Sequence, residues 1–434
     1  MSNIRPFQLA LLAFFAVMAF VALIFLGGYK SKQSAEEVVY GSEVVIWGTL
    51  PVAAFDTVLR NASQEDKAFG VVKYYYVDKN SFDDELINAI AEGRSPDMVV
   101  LTSDNLVKHR AKLYPMPYES LPIGQYRNTY IDGAEIFARN DGIYAVPFAV
   151  DPLVMFWNRD IFSSNGLAQA PATWEEVVSR VVPAVTIRNA RDIVRGALAF
   201  GEVRNVTRAK EVLSLLMLQS GSKMVSENDR GYVVELNQSS VQGGRAPLEA
   251  AVQFYTDFSN VNSPIYSWNR GMQQDKTAFT SGDIALYFGM ASEAENLDRK
   301  NPNLNFDMTT VPQGGAATAL RTYGEFYGFA IPRAAPNAKG AFAAAMKLSS
   351  AKYANELTTS LNIAPVRRDL IAQGDSSPYR STMLQSALIS RSWLDPDPRE
   401  SESIFMQMVE DVVSNRKRTG AAVGDAIDRL ILEY

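Results

Sequence analysis

The sequence contains no cysteine, only one histidine and no excess of positive charge. Without cysteine the protein cannot form disulfides, thiolate nucleophiles or cysteine-rich zinc sites, and it cannot carry a lipid on an N-terminal cysteine. The net charge of −6 leaves no basic excess of the kind that binds nucleic acid, so we expect no nucleic-acid partner. Apolar residues make up 47% of the chain and charged residues 21%, which is ordinary for a folded globular protein.

Signatures of catalysis are equally scarce. His109 is the only histidine, and we interpret it as a solvated residue on the helical segment NLVKHRAKL. A Ser-His-Asp triad would have to use it, and the chain has no G-x-S-x-G motif, P-loop or G-x-G-x-x-G motif. The remaining enzymatic alternative is a glycosidase-type carboxylate pair, to which no acidic residue points in particular. We therefore expect a protein that is not an enzyme and that uses no cofactor or metal.

The N-terminus carries a long apolar segment. Residues 7–26 contain no charged side chain, and as a helix they would span about 30 Å, the thickness of a bilayer core. The following GGYKSKQSA offers only the weak cleavage motif QSA. We predict an uncleaved single-pass transmembrane anchor over residues 7–26 and a polar tether over 27–40, with the main domain outside the cytoplasm. A cleaved signal peptide is the alternative.

Strands and helices alternate after the anchor. GSEVVIWGTL, VVKYYYVD and SPDMVVLTSDN have the composition of strands, and the helical segments VAAFDTVLRNASQEDKAFG and SFDDELINAIAEG separate them. This order predicts a parallel sheet wound with helices. SGDIALYFGM and YGEFYGFAIP are later strands in a more helical second half. Because 434 residues exceed what one core usually supports, we predict an α/β protein with two lobes.

These segments, in this order, resemble one family. From residue 41 onward the chain is similar to bacterial extracellular solute-binding proteins of the maltodextrin and multiple-sugar class, the receptor components of ABC importers. The resemblance lies in VVIWGTL, SPDMVVLTSD, YAVPFAVDPLVMFWNRDIF, PATWEEVV, FTSGDIALYFGM, VPQGG, GFAIPRAAPNAKGAFAAAMKLSS and NIAPVRRDL. Each motif alone is weakly specific, but the whole set in register is strongly so. The resemblance implies a periplasmic-binding-protein-like fold and a small solute, most simply a carbohydrate.

The resemblance also implies a hinge of three chain crossings between the lobes. The apolar run YAVPFAVDPLVMFWNRDIF would carry the first crossing, and residues 305–312 and 361–366 would carry the others. The predicted hinge residues are Pro147, Asp151, Pro312 and Pro365. Lobe one would then comprise residues 41–147 and 310–361, and lobe two residues 148–309 and 362–434.

The ligand site is expected beyond the carboxyl ends of strands and between the lobes. The strand ends there supply short polar and apolar side chains. By the family resemblance, the loop GEVRNVT lies where relatives often contact the ligand, and it supplies an arginine and an amide. Four aromatic residues could stack on sugar rings. The predicted ligand contacts are Thr49, Pro51, Ser103, Asp104, Arg204, Asn205, Trp268, Met290, Tyr323, Phe326 and Trp393. We assign Trp47, Phe288 and Tyr327 to the core.

Two points about this site stay open in the sequence. Asp104 could accept hydrogen bonds from sugar hydroxyls, or it could cap the helix that follows, since aspartate is a preferred N-cap residue. Many relatives have a tryptophan just after the glycine that ends the SGDIALYFG strand, whereas this chain has Met290, Ala291 and Ser292. Methionine adapts to many shapes but stacks less strongly than indole, which leaves the ligand class open.

We expect a membrane-anchored receptor that captures a small solute and delivers it to the permease subunits of an ABC importer. A membrane-tethered sensor or scaffold with the same two-lobed fold is the alternative. The sequence contains nothing that separates these two functions.

Overall fold

Three parallel strands begin the fold. β1 (Val44–Gly48) lies between β2 (Val72–Tyr76) and β3 (Met98–Thr102). Helices α1 (Val52–Glu65) and α2 (Phe82–Ala91) connect them in sequence. β3 is buried along nearly its whole length, as expected for a strand covered on both faces. The alternating pattern of strands and helices predicted for this part of the chain is confirmed.

The structure is a computed structural model that describes residues 40–221, 223–237 and 246–434. The predicted anchor over residues 7–26 lies outside these ranges, as does the predicted tether except for its last residue. That residue, Tyr40, is buried against Phe69 at a ring-centroid distance of 5.2 Å, so it belongs to the folded domain. Within the described ranges no helix is long and apolar enough to cross a membrane.

One long strand connects the two halves of the sheet. β6 (Val146–Asn158) pairs through its first half with β13 (Thr322–Ala330) and through its second half with β11 (Ile284–Met290), in both cases antiparallel. Proline is unusual in a central strand because it cannot donate to the ladder. Pro147 is accommodated where the register shifts, next to Gly328. The apolar run around Pro147 is therefore a strand shared by both lobes.

The other strands are β4 (Ala138–Arg139), β5 (Gly142–Ile143), β7 (Ile187–Asn189), β8 (Asp192–Leu198), β9 (Val225–Asn228), β10 (Gly231–Val234), β12 (Phe306–Thr309), β14 (Ala364–Pro365) and β15 (Ser390–Arg391). The large mixed sheet has the strand order β2-β1-β3-β13-β6-β11-β8-β7. β12 and β14 also pair with β6, and β15 pairs with β13.

The helices cover the faces of this sheet. In lobe two, for example, a capping interaction begins a helix, with Thr173 accepting from the backbone N–H of Glu176. The helices after α2 are α3 (Leu106–His109), α4 (Ile123–Thr129), α5 (Arg159–Ser164), α6 (Trp174–Glu176), α7 (Val182–Val185), α8 (Ala209–Gln219), α9 (Pro247–Asp257), α10 (Asp275–Ser281), α11 (Ala294–Lys300), α12 (Ala338–Leu348), α13 (Ala351–Ser360), α14 (Arg368–Ala372), α15 (Pro378–Ile389), α16 (Pro398–Val413) and α17 (Thr419–Leu432).

Two lobes result from this arrangement. Lobe one is built on β1, β2 and β3, and lobe two is built on β7, β8, β11 and β12, with β6 and β13 running between them. Lobe two has an aromatic core in which Phe288 stacks on Trp174 at 5.6 Å and packs against Phe200 at 4.9 Å. Phe288 is thus a core residue, as predicted, whereas Trp47 is only partly buried against the core of lobe one.

The predicted hinge residues lie along the shared strands. Pro147 and Asp151 are in β6, and Pro365 in β14 pairs with Ala149 of β6. Pro312 follows β12, and its carbonyl accepts a hydrogen bond of 2.9 Å from the Gln219 side chain. Their role as hinges and the residue bounds of the lobes stay predictions.

Candidate functional site

A cleft with a volume of about 400 Å³ lies between the lobes. The carboxyl ends of β1 and β3 reach it from lobe one, and the end of β11 reaches it from lobe two. This is where the topology of an open α/β sheet places a ligand. Of the predicted contacts, the structure brings together Thr49, Asp104, Met290 and Tyr323 in the wall of this cleft.

Asp104 lies in a single turn of 3₁₀ helix directly after β3. Helix α3 begins only at Leu106, and the preceding Asn105 makes no side-chain cap hydrogen bond. The Asp104 carboxylate receives a long hydrogen bond of 3.4 Å from the Asn105 amide instead of capping the helix. Burial raises the pKa of Asp104, and the nearby Glu325 carboxylate raises it further. Of the two roles open in the sequence, this geometry favours the carboxylate in the cleft.

One face of β13 contributes three residues to the cleft. Side chains alternate along a strand, so Tyr323, Glu325 and Tyr327 point to one side. All three line the cleft, and the Tyr327 hydroxyl donates to Glu325 at 2.6 Å. Tyr327 is therefore buried, as expected of a core residue, but it is also part of the cleft wall.

The same alternation corrects the prediction for Phe326. Its side chain lies on the opposite face of β13, where it is fully buried. A Cβ on Gly133 would come within 2.2 Å of the Phe326 ring, which shows how tightly this side is packed. Tyr323 and Phe326 could not both face the ligand, because their positions differ by an odd number. The alternation of YGEFY was the signal that could have identified Glu325.

Three cations from lobe two, Arg208, Lys210 and Arg399, line the cleft and were not predicted. Arg208 pairs with Glu211 at 3.2 Å and with Glu293 at 3.4 Å. Lys210 pairs with the buried Asp395 at 2.6 Å. Burial disfavours the charged ammonium group, but the carboxylates around it outweigh this effect and raise the pKa of Lys210. The sequence offers no clear signal for these residues, because arginine and lysine are common on solvated helix starts.

Trp268 and Asn205 are structural residues of lobe two, contrary to the prediction. Trp268 is fully buried, and its indole N–H donates to the Asn205 side-chain oxygen at 3.1 Å. The Asn205 amide also donates to the carbonyls of Asn269 and Met272, each at 3.0 Å. These bonds occupy the polar atoms of both side chains, so neither has a group left for a ligand.

Four other predicted contacts lie beside the cleft and do not form its wall. Ser103 is fully buried, accepting from the Phe326 N–H at 3.1 Å and donating to Ser392 at 3.2 Å. Arg204 lies on the surface and pairs with Glu410 at 3.0 Å. Pro51 is exposed at the start of α1.

Trp393, the fourth, lines a second cavity between the lobes, with a volume of 680 Å³. Its ring is buried, stacks on Phe405 at 6.2 Å and lies 5.9 Å from the Lys210 ammonium, and it is not part of the cleft wall.

His109 is fully buried, so its interpretation as a solvated residue is wrong. Its Nε2 atom lies 2.9 Å from Oδ1 of Asp83. The other carboxylate oxygen of Asp83, Oδ2, accepts a hydrogen bond of 2.7 Å from Lys108. Although burial opposes ionisation, these two partners lower the pKa of Asp83. A helical pattern alone cannot reveal this, because the acidic partner is on a different helix.

Ion pairs join the lobes at the margins of the cleft. Arg110 of lobe one contacts the β9–β10 hairpin of lobe two, with Glu227 at 2.5 Å and the Tyr232 hydroxyl at 2.7 Å. At another margin, Lys108 reaches Asp397 at 2.8 Å. Contacts of this kind are made only while the lobes are close together, so they favour a closed cleft.

Two lobes joined by shared strands around a polar cleft define the class of two-lobed binding proteins. The chain belongs to the family described as bacterial extracellular solute-binding protein, whose model matches residues 63–380. This confirms the family resemblance and the two-lobed α/β fold, and it assigns the protein to extracytoplasmic solute binding. No curated protein matches the chain at a significant level.

Solved structures with this fold are similar over nearly their whole length. A cyclo/maltodextrin-binding protein complexed with maltotetraose has a TM-score of 0.71 at 15% identity, covering 90% of this chain and 97% of the other. CpMnBP1 with mannotriose bound has a TM-score of 0.66 at 16% identity, covering 90% and 100%. An ABC transporter solute-binding protein from Thermotoga lettingae bound with α-D-tagatose has a TM-score of 0.65 at 16% identity, covering 91% and 100%. At these identities the similarity shows the fold alone.

Proposed function

We propose that this protein captures a small carbohydrate between its lobes and delivers it to the permease subunits of an ABC importer. The observation that carries the proposal is the cleft of about 400 Å³ at the carboxyl ends of the strands. Its volume falls in the range of small-molecule sites, about 300–1,000 Å³. The three solved structures with the same fold are described with maltotetraose, mannotriose and tagatose bound, which supports a sugar as the solute.

The chemistry of the cleft suits a sugar. Asp104 and Glu325 offer carboxylate oxygens to hydroxyl donors, and charged acceptors form hydrogen bonds about twice as strong as neutral ones. The rings of Tyr323 and Tyr327 supply apolar surface next to them. The carboxylates of the cleft wall thus match the hydroxyl groups of a sugar, and its tyrosines and methionine match the apolar faces of the sugar ring.

We further propose that residues 7–26 hold the protein at the outer side of the cell membrane. The chain has no cysteine to carry a lipid, and this segment is long enough to span a bilayer. An anchored receptor would keep its binding lobes within reach of the permease.

A thermal-shift screen tests the proposal. Residues 27–434 are heated with monosaccharides, oligosaccharides, polyols, phosphorylated polyols or peptides. A ligand that binds only the folded protein at 100 times its Kd stabilises it by about 2.7 kcal/mol, so a sugar should raise Tm by a few degrees. A response to peptides alone would contradict a carbohydrate solute, and no response to any compound would favour the sensor or scaffold. Sugar recovered intact after incubation would separate binding from glycosidase activity.

A further inference from the structure

The floor of the cleft carries acidic groups on neighbouring segments of the chain. In the pairing of β3 with β13, Thr102 lies opposite Tyr327. Asp104 follows two residues later in the 3₁₀ turn, near enough to Glu325 that the Glu325 carboxylate raises its pKa. Glu325 in turn lies directly opposite Asp151 on β6. Three carboxyl groups therefore lie near one another, on the turn after β3 and on the shared strands β13 and β6, and Asp104 and Glu325 line the cleft.

The cations around these carboxyl groups are already engaged elsewhere. Arg208 is paired with Glu211 and Glu293, and Lys210 is paired with Asp395. Within the described ranges neither Asp104 nor Glu325 forms an ion pair of its own. Lys79 and Arg399, which also line the cleft, are exposed to solvent at its mouth. The charge left without a close partner at the floor of the cleft is therefore negative.

A second, independent feature points into the same space. The Tyr323 side chain is only 5% exposed and lines the cleft, yet its hydroxyl makes no hydrogen bond to any described residue. The hydroxyl oxygen is not one of the fully buried polar atoms of the described residues, so a group that enters the cleft can reach it. A ligand beside Asp104 and Glu325 would supply a hydrogen-bond partner.

Two carboxyl groups without an ion pair of their own, in a cleft that closes around its ligand, are stabilised in their charged forms by a positive charge on that ligand. Among the described residues no cluster of acidic side chains could hold a metal ion. We propose that the cleft selects a sugar bearing an ammonium group, an amino sugar, whose nitrogen lies between Asp104 and Glu325 while its hydroxyls reach Tyr323. This inference rests on the proposed function and specifies the class of carbohydrate.

Calorimetric titrations with matched pairs of probes test it. Glucosamine, galactosamine and mannosamine are each compared with glucose, galactose and mannose, and chitobiose is compared with cellobiose, at a pH where the amines are protonated. At least one amino sugar should bind about tenfold or more tightly than its neutral counterpart, the gain expected from one charge-assisted hydrogen bond. Acetylation of that amine should abolish the gain.

Variants locate the preference. Glu325→Gln keeps an acceptor for the Tyr327 hydroxyl but removes the charge, so the amino-sugar preference should fall about tenfold. Asp66→Asn removes one charge from a pair with Lys347, away from the cleft, and should leave the preference unchanged.

The outcomes separate this inference from the proposed function. Neutral sugars that bind as well as or better than every amino sugar would overturn the inference and leave carbohydrate capture standing. An amino-sugar preference that survives in Glu325→Gln with an unchanged fold would overturn the placement of the ammonium group. Failure of all sugars, neutral and amino, would overturn both.

Discussion

Asp151 and Ser292 join the shared strand β6 to the turn that follows β11. The Asp151 carboxylate accepts from the backbone N–H of Ser292 at 3.1 Å and from its hydroxyl at 2.5 Å. These bonds favour the ionised carboxylate, but burial dominates and raises the pKa of Asp151 to about 7. A predicted hinge residue is thus a carboxyl group whose charge changes near neutral pH.

This pKa makes stability depend on pH at Asp151. The folded protein retains the proton up to about pH 7, whereas the unfolded chain loses it near pH 4, so the stabilising contribution is complete below pH 4 and is lost as pH rises toward 7. Asp151→Asn stays neutral at every pH. From pH 5 to pH 8 the free energy of unfolding of the wild type should therefore fall by about 2 kcal/mol more than that of Asp151→Asn. Urea unfolding at both pH values measures this, and an equal difference at pH 5 and pH 8 would contradict it.

The ion pair between Arg110 and Glu227 should help to hold the cleft closed. Both side chains are largely shielded from water, so the pair should be worth more than an exposed one, with a coupling energy of about 1–3 kcal/mol. A double-mutant cycle with Arg110→Ala and Glu227→Gln measures this energy. Small-angle X-ray scattering should show a larger radius of gyration for Arg110→Ala.

The matched control for this experiment is Arg127→Ala. It breaks an exposed pair with Glu135 inside lobe one and should change neither stability nor radius appreciably. If Arg110→Ala has the same radius as this control, the pair does not contribute to closure.

Trp268 should matter for stability and not for binding. Trp268→Phe removes the indole N–H and leaves the buried Asn205 oxygen without that partner, which should lower the free energy of unfolding by about 1–3 kcal/mol. The sugar affinity should change less than twofold. Denaturant unfolding and calorimetry on the same variant check both statements, and a large loss of affinity with full stability would restore Trp268 as a ligand contact.

The predicted anchor should keep the full-length protein in the membrane. Carbonate washing removes peripheral proteins, so the intact chain should remain in the pellet if residues 7–26 span the bilayer. A variant that lacks residues 7–26 and carries a cleavable signal peptide should appear in the soluble fraction. A shortened, freely soluble species from the unmodified gene would contradict the prediction.

The sequence predicts the fold better than the site because strand and helix patterns are local, whereas a binding wall is assembled from distant segments. The apolar run around Pro147 is long enough to identify a buried strand from the order of its residues alone. Glu325 could have been identified from the position of Tyr323, because residues two apart on one strand point to the same face. Neither the pairing of Trp268 with Asn205 nor that of His109 with Asp83 has a local signal. In both pairs the partner that satisfies the polar group lies many residues away.

The affinity of Asp104→Ala for the sugar that the screen identifies tests the central claim most directly. If the solute binds in this cleft, the variant loses a hydrogen bond from the solute to a charged carboxylate, which is worth about 1.5–3 kcal/mol. The affinity should then fall by about one to two orders of magnitude. Its Tm should stay unchanged, because α3 does not depend on this carboxylate for its cap. Calorimetry and thermal unfolding of the same preparation provide both values. Unchanged affinity together with a lower Tm would contradict the account and make Asp104 a structural residue.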